Sequence, residues 1–179
     1  MMNKPVVPRE IKRIHQGRIF TVQIETVTLP NGHELHAEVI RHPGSVVIVP
    51  MTDGGEILLV RQYRHAIGRV AWELPAGSLK PDEEVMEAAR RECQEEVGLI
   101  PSRLTRLGAF FPTPGYCDEE MTFYRADGLR EPTAAETAHP DEDEDIEVQA
   151  FSLAEIRRMV ANGEIIDLKT VAGITLLGE

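Results

Sequence analysis

Between Gly77 and Leu99 the chain reads GSLKPDEEVMEAARRECQEEVGL, and no other stretch constrains the fold as tightly. At about 100° per residue, Glu96 lies about 40° from Glu92 on one side and Glu95 about 60° on the other, so three carboxylates share one face of a helix. Met86, Ala89, Cys93 and Val97 recur at spacings of three and four and form an apolar stripe of the width that a core-facing helix needs. One side of this helix packs and another is left to bind. Like charges at these spacings each cost about 0.2 to 0.5 kcal/mol. Arg91 precedes Glu95 in the weaker pairing orientation and Arg90 points elsewhere, so cationic relief within the helix is slight. A hard divalent cation offsets such a cluster better, because Mg²⁺ is held by one or two carboxylates together with substrate phosphates. For the helix taken alone, a solvated acidic face is the competing reading.

The ends of the segment have their own reasons. Pro81 and Asp82 are expected to open the helix, since proline suits the first turn and acids favour the N-terminus. Gly98 stands where a left-handed cap is expected. Gly77, after Pro75 and Ala76, marks a strand-to-loop transition that a side chain would hinder.

Upstream, the period is that of strands. Phe20, Val22 and Ile24 alternate with Thr21, Gln23 and Glu25, and Pro30, Asn31 and Gly32 turn the chain back into His33 to Arg41 as a hairpin. Val46 to Met51 and Glu56 to Tyr63 flank Thr52, Asp53, Gly54 and Gly55 and predict a second, more buried hairpin. Arg106 to Phe111, Glu120 to Ala126 and Ile146 to Phe151 read as further strands. Ser152 and Glu155 form a capping box for a helix to about Ala161, stopped by Asn162 and Gly163, and a last helix runs from about Leu168 to Leu177. A sheet core with helices against it is an α+β fold, an α/β/α sandwich.

With 179 residues, 42% of them hydrophobic and 27% charged, the chain suits a single globular unit. A net charge of -11 and a pI near 5.0 argue against nucleic acid or an acidic membrane surface as partner. MMNKPVVPRE lacks the apolar stretch of a signal peptide, Cys93 and Cys117 make no disulfide framework, and Val46 to Pro50 is too short to span a bilayer. The expected compartment is the cytoplasm. His15, His33, His36, His42, His65 and His139 have no zinc spacing, and the cysteines form no CxxC pair. Trp72 is read as core or pocket wall, and Tyr116 as a loop residue that is a weaker candidate for a pocket.

The 23-residue segment resembles the Nudix box at every fixed position: Gly77, Glu83, Arg91, Glu92, an apolar position filled by Cys93, Glu95, Glu96, Gly98 and apolar Leu99. Such a match decides between the two readings of the acidic helix in favour of metal. The resemblance implies a Nudix α/β/α sandwich with a mixed sheet over 44–179, preceded by an antiparallel hairpin region at 1–43. WELPAG at Trp72 to Gly77, PTPGYCDE at Pro112 to Glu119 and HPDEDEDIE at His139 to Glu147 resemble the ADP-ribose pyrophosphatase branch, Pro114 lying fifteen residues beyond Leu99.

That branch implies Mg²⁺-dependent hydrolysis of a nucleoside diphosphate sugar, with Mn²⁺ as a substitute. ADP-ribose, cleaved to AMP and ribose 5-phosphate, is the leading substrate; GDP-mannose and ADP-glucose are the alternatives, and a nucleotide-sugar sensor without turnover is the reading from another class. By resemblance, Glu92, Glu95, Glu96, Glu144 and the carbonyl of Ala76 hold metal, with Glu92 and Glu96 central to catalysis. Glu142 handles the attacking water, with Glu144 as the alternative for that role. Glu83, about 180° from Glu92 around the helix, fits a helix-start or peripheral carboxylate better than a direct ligand, and Arg91 orients the acids. Arg64 resembles a phosphate contact and Glu73 a ribose contact, with an ordinary ion pair as the alternative for each. Arg18, Glu25 and Glu119 are weaker candidates for substrate. A two-fold homodimer is implied, in which residues 15–40 of both chains recognise the base.

Overall fold

The computed structural model describes residues 6–136 and 146–178, so Glu142, Glu144 and His139 lie outside the described residues. Contacts group these residues into two units. One runs through Gly44 and takes in Phe111–Glu120; the other holds Ser45–Phe110 and the chain from Met121 onward.

In the N-terminal unit, β1 (Glu10–Gln16), β2 (Thr21–Thr28) and β3 (Glu34–Arg41) form an antiparallel sheet in that order. The expected hairpin is present, paired from Thr21 opposite Arg41 to Thr28 opposite Glu34 and closed by Leu29 N–H on the His33 carbonyl at 2.8 Å. Strand β1 was not expected from the sequence: all seven of its residues are exposed, so no apolar alternation marks it. Nor was the place of Phe111–Glu120, which the sequence reading kept with the catalytic region. Its backbone joins the end of β3, with Ile40 N–H donating to the Tyr116 carbonyl at 2.7 Å and Asp118 N–H to the Ile40 carbonyl at 3.2 Å.

The second unit contains β4 (Ser45–Pro50), β5 (Ile57–Arg64), β6 (Arg69–Glu73), β7 (Ala76–Ser78), α1 (Val85–Glu92), β8 (Ile100–Phe110), β9 (Met121–Arg130), β10 (Glu147–Phe151), α2 (Leu153–Ala161) and α3 (Leu168–Leu176). One sheet runs β7-β4-β9-β8, with β4 and β9 parallel, and the other β10-β5-β6. Strand β4 is buried along its whole length, as an unbroken β-branched run predicts. Its residues divide between two cores. Val47 and Val49 pack with Leu59, Leu74, Phe123, Ile156 and Ile174, while Val46 and Ile48 pack with Ala88, Ala89, Cys93 and Tyr124. Helix α1 therefore covers one face and α2 with α3 the other, which is the expected sandwich of mixed α+β class. Each such buried aliphatic side chain contributes about 1.5 to 3 kcal/mol.

Two expectations need correction. The second hairpin is only a turn: Thr52 N–H reaches the Glu56 carbonyl at 2.9 Å and Met51 bridges Ile57, after which β4 and β5 part into different sheets. One edge of β4 is taken by β9 from Ser45 to Pro50 and the Ser45–Val47 stretch of the other by β7. The box helix also starts late, at Val85 rather than Pro81, because Asp82 adopts a left-handed φ of 60° that no right-handed helix contains. Met86, beyond the apolar face formed by Ala88, Ala89, Cys93 and Val97, is 47% exposed. At the other end of the chain the Ser152–Glu155 capping box is formed reciprocally at α2. No helix among the described residues is long and apolar enough to cross a membrane.

Candidate active site

The acidic site is built where β7 passes α1. Antiparallel pairing sets Ala76 opposite Val47 and Gly77 opposite Val46, fixing the short strand on the central sheet. Helix α1 then continues as one π-helical turn, Cys93–Val97, ended by Gly98 at φ 78° with its N–H on the Gln94 carbonyl at 3.0 Å. A π turn shifts the phase of the residues that follow it, and such turns concentrate at functional sites. Here it carries Glu95 and Glu96. Glu92 and Glu96 are buried, at 8% and 6% exposure. Ala76 N–H donates to Glu96 Oε2 at 3.0 Å. At Gly77 a Cβ would meet the Glu92 carboxylate at 1.9 to 2.3 Å, so the absence of a side chain is what lets Glu92 sit against the strand.

Cationic relief is larger than the sequence suggested. Arg91 forks onto Glu83 through Nε at 2.7 Å and Nη2 at 2.9 Å, and its Nη1 reaches Glu92 at 2.5 Å and Glu95 at 2.7 Å. The hydrogen bonds to Glu83, followed by those to Glu92 and Glu95, outweigh desolvation and raise the guanidinium pKa. Arg91 in turn holds the Glu83 carboxyl down at about 2, from an ordinary 4.5. Because the helix begins only at Val85, Glu83 is not on the far side of it but beside Arg91. Burial, with the charge of Glu96 adding to it, pushes the Cys93 thiol up to about 12, which leaves it a neutral packing group.

A second ionic group lies along β5 and β6. Arg64 Nε and Nη2 hold the Glu73 carboxylate at 2.7 to 3.2 Å, and Lys169 of α3 meets the same carboxylate. Hydrogen bonding to Glu73 raises the Arg64 pKa against desolvation, and the charge of Glu96 adds to the rise, tying this group electrostatically to the acidic one. Burial pushes the Glu73 carboxyl up, yet Arg64 and Lys169 together bring it below its ordinary value.

A profile of the NUDIX domain matches residues 41–172. The chain belongs to the Nudix family. It is 36% identical over 166 residues to the ADP-ribose pyrophosphatase of Bacillus subtilis (strain 168), covering 93% of this chain and 89% of that protein. It is 41% identical over 162 residues to the ADP-ribose pyrophosphatase of Mycobacterium tuberculosis (strain ATCC 25618 / H37Rv), covering 90% and 77%. The crystal structure of an ADP compounds hydrolase superposes with a TM-score of 0.81 at 24% identity, over 97% of this chain and 92% of that one, a likeness of fold.

Within the Nudix box the donors present suit a hard cation. They are carboxylate and carbonyl oxygens without a thiolate or imidazole among them, around a cradle that a Cβ at Gly77 would fill. Among the described residues no three acidic, imidazole or thiol side chains converge as a ready-made cage. Glu92 and Glu95 are turned toward Arg91, and Glu96 accepts from Ala76. Of the proposed substrate contacts, Arg64 keeps its fork on Glu73 while its side chain is 38% exposed. Glu73 is 3% exposed with two cations on its carboxylate, which is the ion-pair alternative rather than a group open to sugar hydroxyls. Arg18, Glu25 and Glu119 all lie in the N-terminal unit. Glu25 is 4% exposed and holds Arg41, whose Nη1 also reaches Asp118 at 2.9 Å; Glu119 stands 4.0 Å from His42, and Arg18 is exposed. Sequence reasoning did not find Lys169. Its only sequence signal is a cation in the first turn of the last helix, where cations are disfavoured.

Proposed function

We propose that the chain hydrolyses the pyrophosphate bond of a nucleoside diphosphate sugar with Mg²⁺, ADP-ribose giving AMP and ribose 5-phosphate. The observation that carries this reading is the group of box carboxylates packed against a strand that has no side chain at Gly77. The two relatives named ADP-ribose pyrophosphatase support the substrate class. Glu92, Glu95, Glu96 and the Ala76 carbonyl are the residues that would hold the metal, joined by Glu144. Bound Mg²⁺, or Mn²⁺ in its place, supplies positive charge against the phosphates and lowers the pKa of water.

The chain's own groups do the rest. Arg64 spends Nε and Nη2 on Glu73 and keeps Nη1 for a phosphate oxygen. Arg91 holds Glu92 and Glu95 in place until the cation competes for them. Glu142 takes the proton of the attacking water, whose oxygen ends on the attacked phosphorus as the bond from that same phosphorus to the bridging oxygen breaks, and the bridging oxygen leaves with the other phosphate. Arg18 and Glu119, with the hairpins of a two-fold homodimer, serve base and sugar recognition, and Glu25, at 4% exposure, acts through the Arg41 that it holds.

The test is incubation with ADP-ribose, ADP-glucose or GDP-mannose and Mg²⁺, with products resolved by phosphorus NMR. AMP and ribose 5-phosphate from ADP-ribose, abolished by chelation, are expected. Binding without turnover would make the protein a sensor. Glu142→Gln should lower kcat by about 10² to 10⁴ with Mg²⁺ affinity kept.

A further inference from the structure

The first turns of α3 meet the strand leading into the acidic site at three places. The Lys169 side chain, 9% exposed, pairs with Glu73 and with Asp167 at 3.1 Å. Thr170 is fully buried; its Oγ1 donates to Asp167 Oδ2 at 2.6 Å and accepts the Leu74 N–H at 2.7 Å. Gly173, a turn further on, brings the helix against Leu74 so closely that a Cβ there would stand 2.3 Å from Leu74 Cδ1. Asp167 completes the arrangement as the helix cap, accepting the Thr170 N–H at 2.9 Å.

What α3 grips is functionally placed. Glu73 holds Arg64, and Leu74 is separated only by Pro75 from Ala76, whose N–H binds Glu96. We propose that Lys169 and Thr170 are positioning residues of the hydrolytic site: Lys169 fixes Glu73 and so the aim of the Arg64 guanidinium, and Thr170 fixes the Leu74 backbone and so the Ala76 carbonyl. This rests on the reading that Arg64 binds phosphate and Ala76 flanks the metal. The physical reason is the number of restraints. A carboxylate held by one fork can swing with it, whereas a second cation from another element locks both. A hydroxyl that donates and accepts at once uses its full directionality, and valine in its place would leave a buried Leu74 N–H without a partner. Lys169 and Thr170 contact Glu73, Asp167 and Leu74, and they act through Glu73 and Leu74.

Lys169→Met, Lys169→Arg, Thr170→Val and Thr170→Ser test this in the full chain, with ADP-ribose and Mg²⁺. Lys169→Met should raise KM about tenfold with kcat within about threefold, and Lys169→Arg should restore both. Thr170→Val should lower kcat about tenfold with KM nearly unchanged, and Thr170→Ser should recover it. Wild-type kcat and KM in Lys169→Met and Thr170→Val would overturn the proposal, as would losses that follow only the folded fraction and are not rescued by arginine and serine. Should Thr170→Val fail to fold, methionine against arginine at 169 decides. Wild-type protein that cleaves no nucleotide sugar would sink the functional reading instead. Calorimetric titration with ADP-ribose and Mg²⁺ then reads the positioning role, with about tenfold weaker binding by Lys169→Met supporting it and equal affinity overturning it.

Discussion

Two ionic clusters in the catalytic unit use the same residue types in opposite proportions. Around Glu73, two cations, Arg64 and Lys169, face two carboxylates, Glu73 and Asp167. Around Arg91, one guanidinium faces Glu83, Glu92 and Glu95, and the exposed Lys80 stands 3.8 Å from Glu95. The first cluster is electrically complete and two of its members are almost wholly covered. Opening it by removing one partner costs the several kcal/mol of an orphaned buried charge, about 3 to 5 in fully buried cases. In the second, among the described residues named, three carboxylates share one guanidinium beside a strand that has no side chain at Gly77. A balanced cluster shapes the site; an unbalanced one is left to recruit.

The contrast breaks at its strongest point if Glu96→Gln is harmless. Removing that carboxylate should cost about a hundredfold or more in turnover and weaken Mg²⁺ binding, read by kinetics and metal titration, since the charge it contributes toward the transition state amounts to several kcal/mol. Gly77→Ala comes next. Gly77 does not have a positive φ, and the nearest atoms its new Cβ would meet are those of the Glu92 carboxylate, so activity should fall about tenfold while the melting temperature stays within a few degrees. A large drop in melting temperature would instead make Gly77 a folding requirement. The smallest effect is on acid stability. The Glu83 carboxyl is depressed, so its contribution is present above the unfolded value of 4.5 and is lost as pH falls toward about 2. Glu83→Gln should be less stable at neutral pH and show a shallower loss across that window in thermal melts. Identical acid limbs would detach Glu83 from Arg91.

Local periodicity made much of this legible. The Ser152–Glu155 capping box, the β2–β3 hairpin and the burial of β4 are properties of neighbours close in sequence, where spacing alone decides geometry, whereas the π turn at Cys93–Val97 departs from the regular spacing from which a shared face of Glu92, Glu95 and Glu96 was read. What was hidden depends on partners far away in sequence. Lys169 meets Glu73, and Thr170 meets Leu74, across 96 residues. Helical spacing gives Arg91 only the weaker pairing with Glu95, because its main partner, Glu83, precedes the helix altogether. The late start of α1 turned on a single backbone angle at Asp82, which no side-chain pattern encodes. Glu73 stands open in the sequence between sugar contact and ion pair, because a glutamate in WELPAG reads the same whether or not a lysine from the last helix covers it.

Because the N-terminal unit takes Phe111–Glu120 from the middle of the chain, the polypeptide passes from one unit to the other at Gly44–Ser45, Phe110–Phe111 and Glu120–Met121. Truncation after Gly44 would therefore not release an intact module. The excised piece would lack both backbone partners of Ile40 and the Asp118 that receives Arg41 and the His42 amide, and the remainder would be left with an orphaned ten-residue excursion.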